Sequence, residues 1–254
     1  MFKPQPRRPA RRDPSTERRP ARSRVGAPSI EAADTRRRLL EAAGEVFAER
    51  GFRSATVREI CSRAGANIAG VNYHFHDKSS LYSEALRHAH HCAIERHPPT
   101  LDTTPGDPPE RRLEAFVTSF LRRVLDEGRP AWHGRLMCRE MNEPSPTPAL
   151  DDLVRDQIQG HFTALVGILR EIAPMTGDER LRLSAMSTVA QCLHFRFARP
   201  VIDRMFPGRY GHAEIALLAN HITSFTTAAL RGMPPAPSAP PATKRSARSG
   251  GRRS

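Results

Sequence analysis

Between Thr56 and Lys78 the sequence gathers side chains whose chemistry suits double-stranded DNA. Asn67 and Asn72 each carry an amide able to form a bidentate pair with adenine, while Ile68 and Ala69 can meet a thymine methyl. Thr56 and Arg58 can grip phosphate on one wall of a groove. Lys78 can serve the opposite strand, adding its charge to the N-terminal dipole of its own helix. Arg36, in the basic run 36–38 that opens the first helix, can grip the same wall as Thr56 and Arg58. Phosphate contacts would fix the register and base contacts would give selectivity.

These groups need a scaffold, and the local signals supply one. Thr56 is an N-cap followed three residues later by Glu59, a capping box. Val57, Ile60, Cys61 and Ala64 fall at the spacing of a half-buried helix, which Gly65 ends. Asn67 can cap a second short helix running to about His74, whose small residues Ala69 and Gly70 permit close approach to a neighbour. Asp77 can cap a third. Two short helices around a Gly-containing turn predict a helix-turn-helix, whose second helix enters the major groove. Three assignments stay open: Thr56 as cap alone, Tyr73 as a core residue against Phe47, and Asn72 as a local cap.

The pattern resembles the TetR family of transcriptional regulators, carried by Gly51-Phe52, Thr56-Val57-Arg58-Glu59-Ile60, Ala64-Gly65, Tyr73-His74-Phe75, and Lys78 with Leu81, over roughly residues 35–93. The chain departs from the family in having Asn72 where a Tyr is usual and Gly70 where a Thr is common. The resemblance implies phosphate contacts for Tyr73 and His74. A second resemblance, to the CecR-like (YbiH-like) subgroup, is carried by Arg139-Glu140-Met141-Asn142-Glu143-Pro144, Pro146–Leu150 and Phe195–Pro200, together with the variant head motif Gly70–Phe75.

The net charge of +13 over 254 residues is concentrated at the ends. The first 28 residues hold nine basic and two acidic side chains and the last 23 hold five basic and none acidic, leaving the middle nearly neutral. Residues 1–28 and 232–254 are rich in Arg, Pro, Ser and Ala without apolar periodicity, which predicts disordered basic tails: salt-sensitive phosphate attractors, or solvated ends with no role. No apolar run approaches the ~20 residues of a membrane span, and no apolar core follows the basic N-terminus as in a secretory signal. Cys61, Cys92, Cys138 and Cys192 form no C-x-x-C and read as reduced thiols of a cytoplasmic protein.

No alternating strand pattern of useful length occurs, so an all-α fold of about nine helices is expected. A first helix over about 33–50, with Leu39, Ala43, Val46 and Phe47 on one face, should stop at Gly51 and seat Phe52 beneath the head. Leu81, Tyr82, Ala85, Leu86 and Ala89 stripe the fourth. The head domain is thus placed at 29–97, a Pro-rich linker at 98–109, and a helical C-terminal domain at 110–231. Within it, Leu113–Leu125 and the series Leu150, Val154, Ile158, Phe162, Leu165, Leu169, Ile172 give helical stripes. The last helix carries a seam, Ile215, Leu218, Ile222, Phe225 and Ala229, which prefers a partner helix. The seam could be filled internally; the family resemblance implies instead a homodimer joined by the last two helices, which suits a palindromic operator.

The resemblance further implies a small-molecule effector in the C-terminal domain that moves two heads apart. Trp132, His133, Met137, Phe162, Gln191 and His194 are the expected pocket residues, with 128–133 as a mobile entrance. No cofactor and no metal are expected: His88, His90 and His91 with Cys92 lack further ligands at a telling spacing. No G-x-S-x-G, H-E-x-x-H, P-loop or dinucleotide fingerprint supports an enzyme, and Glu140 with Glu143 reads as a solvated helix edge or a domain interface. The leading expectation is a ligand-released dimeric repressor, acting on a double-stranded DNA operator. The alternative is a sequence-tolerant architectural protein that coats DNA with its tails.

Overall fold

The structure is a computed structural model that describes residues 30–125 and 130–232. The expected tails, apart from Gly232, and residues 128 and 129 of the expected entrance segment lie outside the described residues. Within them the fold is all-helical, with no strand.

The head is built from α1 (Ile30–Ser54), α2 (Val57–Ala64), α3 (Ile68–Phe75) and α4 (Lys78–Arg96). Gly51, at φ 74°, breaks α1 as a left-handed residue should. One further turn follows, closed by the Ala55 amide donating to the Gly51 carbonyl at 3.2 Å. The caps fall where the sequence places them. The Thr56 hydroxyl accepts from the Glu59 amide at 3.1 Å, Asn67 Oδ1 from the Ala69 amide at 3.0 Å, and Asp77 Oδ1 from the Ser80 amide at 2.7 Å. Each such cap stabilises its helix by about 1 kcal/mol. The capping box is half made: the Glu59 carboxylate pairs with Arg50 at 3.1 Å instead of returning to Thr56. Gly65, at φ 59°, closes α2.

Leu39, Ala43, Val46, Phe47, Ile60, Val71, Phe75, Leu81 and Leu86 form the head core. Tyr82 fills its base, edge-on to Phe47 at 4.8 Å and to Phe52 at 5.2 Å.

The rest comprises α5 (Pro109–Leu125), α6 (Ala131–Asn142), α7 (Ala149–Leu153), α8 (Gln159–Ile172), α9 (Asp178–Phe197), α10 (Arg199–Met205) and α11 (Ile215–Gly232). The described α-helices therefore number eleven against the nine expected; α10 and the five-residue α7 are the short ones. A π turn, Val154–Ile158, joins α7 to α8 in one continuous rod. The expected stripe from Leu150 to Ile172 is interrupted here: Val154 is 42% exposed, and Leu153 takes the buried place instead. The stretch between α4 and α5 is non-helical, as the prolines require.

Two cores result. α5, α8, α9 and α11 enclose the second, around Leu113, Val117, Leu165, Leu181 and Leu218. α6 and α7 instead pack on the head, sending Trp132, Leu136, Ala149 and Leu153 into the first core. The Trp132 indole lies directly over Gly44 and donates to Glu41 Oε2 at 3.1 Å. Glu140, 1% exposed, accepts from the Tyr82 hydroxyl at 2.5 Å and from the Ser145 amide and hydroxyl, each at 3.0 Å. Burial and this carboxylate raise the Tyr82 pKa well above the phenol value. Of the two readings of Glu140, the interface is right and the solvated edge is wrong, whereas Glu143 is exposed and paired with Arg139. Arg139 also caps the end of α1, donating to the Ala48 and Glu49 carbonyls at 3.4 Å.

Candidate nucleic-acid interface and effector cavity

α3 divides cleanly into two faces. Val71 and Phe75, four residues apart, are buried in the head core, and each such burial is worth about 1.5–3 kcal/mol. Asn67, Ile68, Ala69, Asn72 and Tyr73 face outward, with Tyr73 74% exposed. Tyr73 is therefore not the residue packed on Phe47; Tyr82 holds that place. The Asn72 side-chain amide makes no bond within the protein, so its cap reading falls and its donors and acceptor face solvent. Asn67 spends its oxygen on capping and keeps its NH2 free. Gly70 faces α1, where a methyl would meet Leu39 at an ordinary 3.5 Å, so close approach does not require glycine there.

The flanking cations differ in availability. Arg58 is exposed and makes no ion pair, and the Arg53 side chain, which sequence reasoning passed over, is equally free. Thr56 is exposed and, while accepting from Glu59, retains its hydroxyl proton. Lys78 is half-buried, its Nζ 4.6 Å from the centre of the Phe52 ring and 3.5 Å from the Arg53 carbonyl; desolvation lowers its pKa. Arg36 is engaged inside the head, paired with Glu84 at 2.6 Å and lying over Phe75 at 5.1 Å. That arrangement commits Arg36 to bracing α1 against α4 and α3. His74 is half-buried between the Tyr73 and Phe75 rings.

Helix α4 of the head and α5, α6, α8 and α9 surround a largely apolar cavity of about 210 Å³. Of the six expected pocket residues, Met137 and Phe162 line it. The other four are corrected. Trp132 and His133 are buried in the α1–α6 junction, stacked edge to face at 4.1 Å. Gln191 faces the groove between α9 and α11, and His194 is exposed. The polar lining consists instead of His90, Arg123, His161 and Arg196, which sit on four helices, α4, α5, α8 and α9, far apart in sequence. Burial depresses the His90 pKa to about 4, and His161 moves the same way; the positive field of Arg123 adds to both shifts. Both rings are accordingly neutral near pH 7. The clustered histidines point three ways: His88 to Glu41 and Trp132, His90 to Gln157 and His91 to Glu95. No group of three or more metal ligands occurs among the described residues.

The seam on α11 is also corrected. Ile215, Leu218 and Ile222 are buried in the protomer's own core, which α11 shares with α5, so they are not available to a partner. Phe225, 58% exposed, and Ala229 face outward into the groove shared with Leu183 of α9; Met186 of α9 and Leu217 of α11 are exposed as well. Among the described residues no helix is long and apolar enough to cross a membrane.

An outward-facing short helix in a helix-turn-helix head, beside a cavity walled by α4, α5, α6, α8 and α9, defines a helix-turn-helix regulator class. Residues 39–85 match the family model for bacterial regulatory proteins of the tetR family, and residues 109–233 match that of the C-terminal domain of HTH-type transcriptional dual regulator CecR. The HTH-type transcriptional regulator Mb3439c of Mycobacterium bovis is 31% identical over 71% of this chain and 96% of its own. The match to SrpR of Pseudomonas putida, 37% identical, is confined to 38% of this chain and 42% of that regulator. A solved transcriptional regulator from Rhodococcus sp. Rha1 shares the fold at TM-score 0.57 and 23% identity, covering 76% of this chain and 96% of the other. The chain belongs to the TetR family of bacterial transcriptional regulators.

Proposed function

We propose that the protein is a dimeric, sequence-specific regulator that represses transcription in the cytoplasm and leaves its operator when a small molecule fills the cavity. The observation that carries this reading is the two-faced α3, anchored by Val71 and Phe75 while Asn72 and Tyr73 stand free. Asn67, Ile68, Ala69 and Asn72 read bases; Thr56, Arg58, Tyr73, His74 and Lys78 hold phosphate. Arg36 contributes by bracing the head. Dimerisation uses the exposed α9–α11 face around Leu183, Met186 and Phe225. A head with one short recognition helix reads few base pairs, so two heads on a palindrome give the needed selectivity.

Footprinting of the full chain on genomic fragments, with excess unrelated DNA, tests this. The expected result is a protected palindrome that survives competition. Uniform protection that vanishes with competitor would instead establish the architectural reading, in which tail charge alone attracts phosphate.

A further inference from the structure

The cavity wall carries a selective feature. Arg196, half-buried on α9, lies against α6 at Gly134, where an added methyl would stand 3.3 Å from Nη2. Its guanidinium makes no hydrogen bond or ion pair within the protein. The walls around it are apolar, with Phe116, Phe120 and Phe162 among them, and the described lining contains no Asp or Glu. Arg123, 9% exposed, lines the same space with its guanidinium over the Phe120 ring at 5.2 Å. A cationic ligand would be repelled here. A neutral apolar ligand would strip water from Arg196 without replacing its hydrogen bonds, which costs free energy. A dianion would bring a second charge into an apolar wall. A carboxylate matches the planar fork of one guanidinium in bidentate fashion.

We infer that the cavity takes an apolar monocarboxylic acid, its hydrocarbon body among the phenylalanines and its carboxylate paired with Arg196. The inference deepens the regulator reading by naming the chemical class of its effector, and it rests on that reading for the consequence at DNA.

The test is calorimetric titration of the full chain, without DNA, with a matched series: 4-phenylbutyrate, 4-phenylbutan-1-ol and 4-phenylbutylamine. The acid is expected to bind at least about tenfold more tightly than the alcohol, in keeping with a charge-assisted hydrogen bond, and the amine more weakly than both. Arg196→Met should remove the preference for acid over alcohol while leaving alcohol affinity within about twofold, and Arg196→Lys should restore part of it. Alcohol binding as well as acid, a preference that survives Arg196→Met, or no binding of any of the three would overturn the inference. Operator footprinting with 4-phenylbutyrate separates the two levels. Arg196-dependent binding that leaves protection intact upholds the ligand class and refutes the release step. A protected operator with no acid binding upholds the regulator and refutes the ligand class.

Discussion

Gly44→Ala is the smallest change that probes how the C-terminal domain is locked to the head. An alanine methyl there would lie 2.3, 2.4 and 2.5 Å from three carbons of the Trp132 indole, over an ångström inside ordinary contact. The indole cannot retreat cheaply: it is 2% exposed, bonded through Nε1 to Glu41 and flanked by His88 and His133. Overpacking of this kind costs about 1–3 kcal/mol, and loss of the indole hydrogen bond adds about 1. Helix propensity opposes both, since Ala is better than Gly in a helix interior by about 1 kcal/mol. The net expectation is destabilisation by about 1–3 kcal/mol, a fall of several degrees in melting temperature for a chain of this size. In a Trp132→Leu background the clash is gone and only the propensity gain remains. There the same substitution should stabilise by up to about 1 kcal/mol. Urea denaturation of the four variants measures the cycle. Gly44→Ala having the same sign in both backgrounds would refute the interlock.

Four other substitutions probe the DNA-facing surface, the cavity and the α9–α11 face. Arg58→Ala should weaken operator binding across all sequences and lower the salt slope by about one, while Asn72→Ala should cost about 1–3 kcal/mol at its own base pair and relax selectivity there; both residues are exposed, so melting temperatures should hold. His90, depressed to about 4 by burial, titrates at its ordinary value of 6.5 once unfolded. Its stability contribution is therefore complete above pH 6.5 and is lost as pH falls toward 4, by up to about 3 kcal/mol. His90→Gln should flatten the denaturation midpoint over that window, and an unchanged pH profile would show that His90 is not held neutral. Phe225→Glu places a charge on the exposed α9–α11 face, and sedimentation should then report a folded monomer; an intact dimer would move the interface elsewhere.

Legibility in the sequence followed the range of the governing interaction. Thr56, Gly65, Asn67 and Asp77 act on backbone groups within three residues, so the head could be read letter by letter. Periodicity marks an apolar stripe on α11 but does not say what buries it. For Ile215, Leu218 and Ile222 the answer is the chain's own core. The cavity was least legible. Composition pointed to Trp132 and His133 as aromatic and polar, which an interlocking junction also needs. His90, His161 and Arg196 meet only because α4, α8 and α9 converge, and no local pattern announces that. Trp132 had no visible partner in sequence because its counterpart, Gly44, has no side chain.

The same two helices build both the head core and the cavity. α4 gives Leu81, Tyr82, Ala85 and Leu86 to the first and Ala89, His90, Ala93 and Ile94 to the second. The eleven steps from Tyr82 to Ala93 span about 16 Å of rigid helix. α6 does this across its width, with Trp132, Leu136 and Glu140 toward the head and Met137, Cys138 and Met141 toward the cavity. A ligand that pushes α6 aside must therefore disturb Trp132 on Gly44 and Glu140 on Tyr82 together. Close-packed junctions yield in discrete steps rather than by gradual bending. Release from DNA then requires only that the ligand favour the displaced arrangement over the seated one by more than the junction favours the reverse.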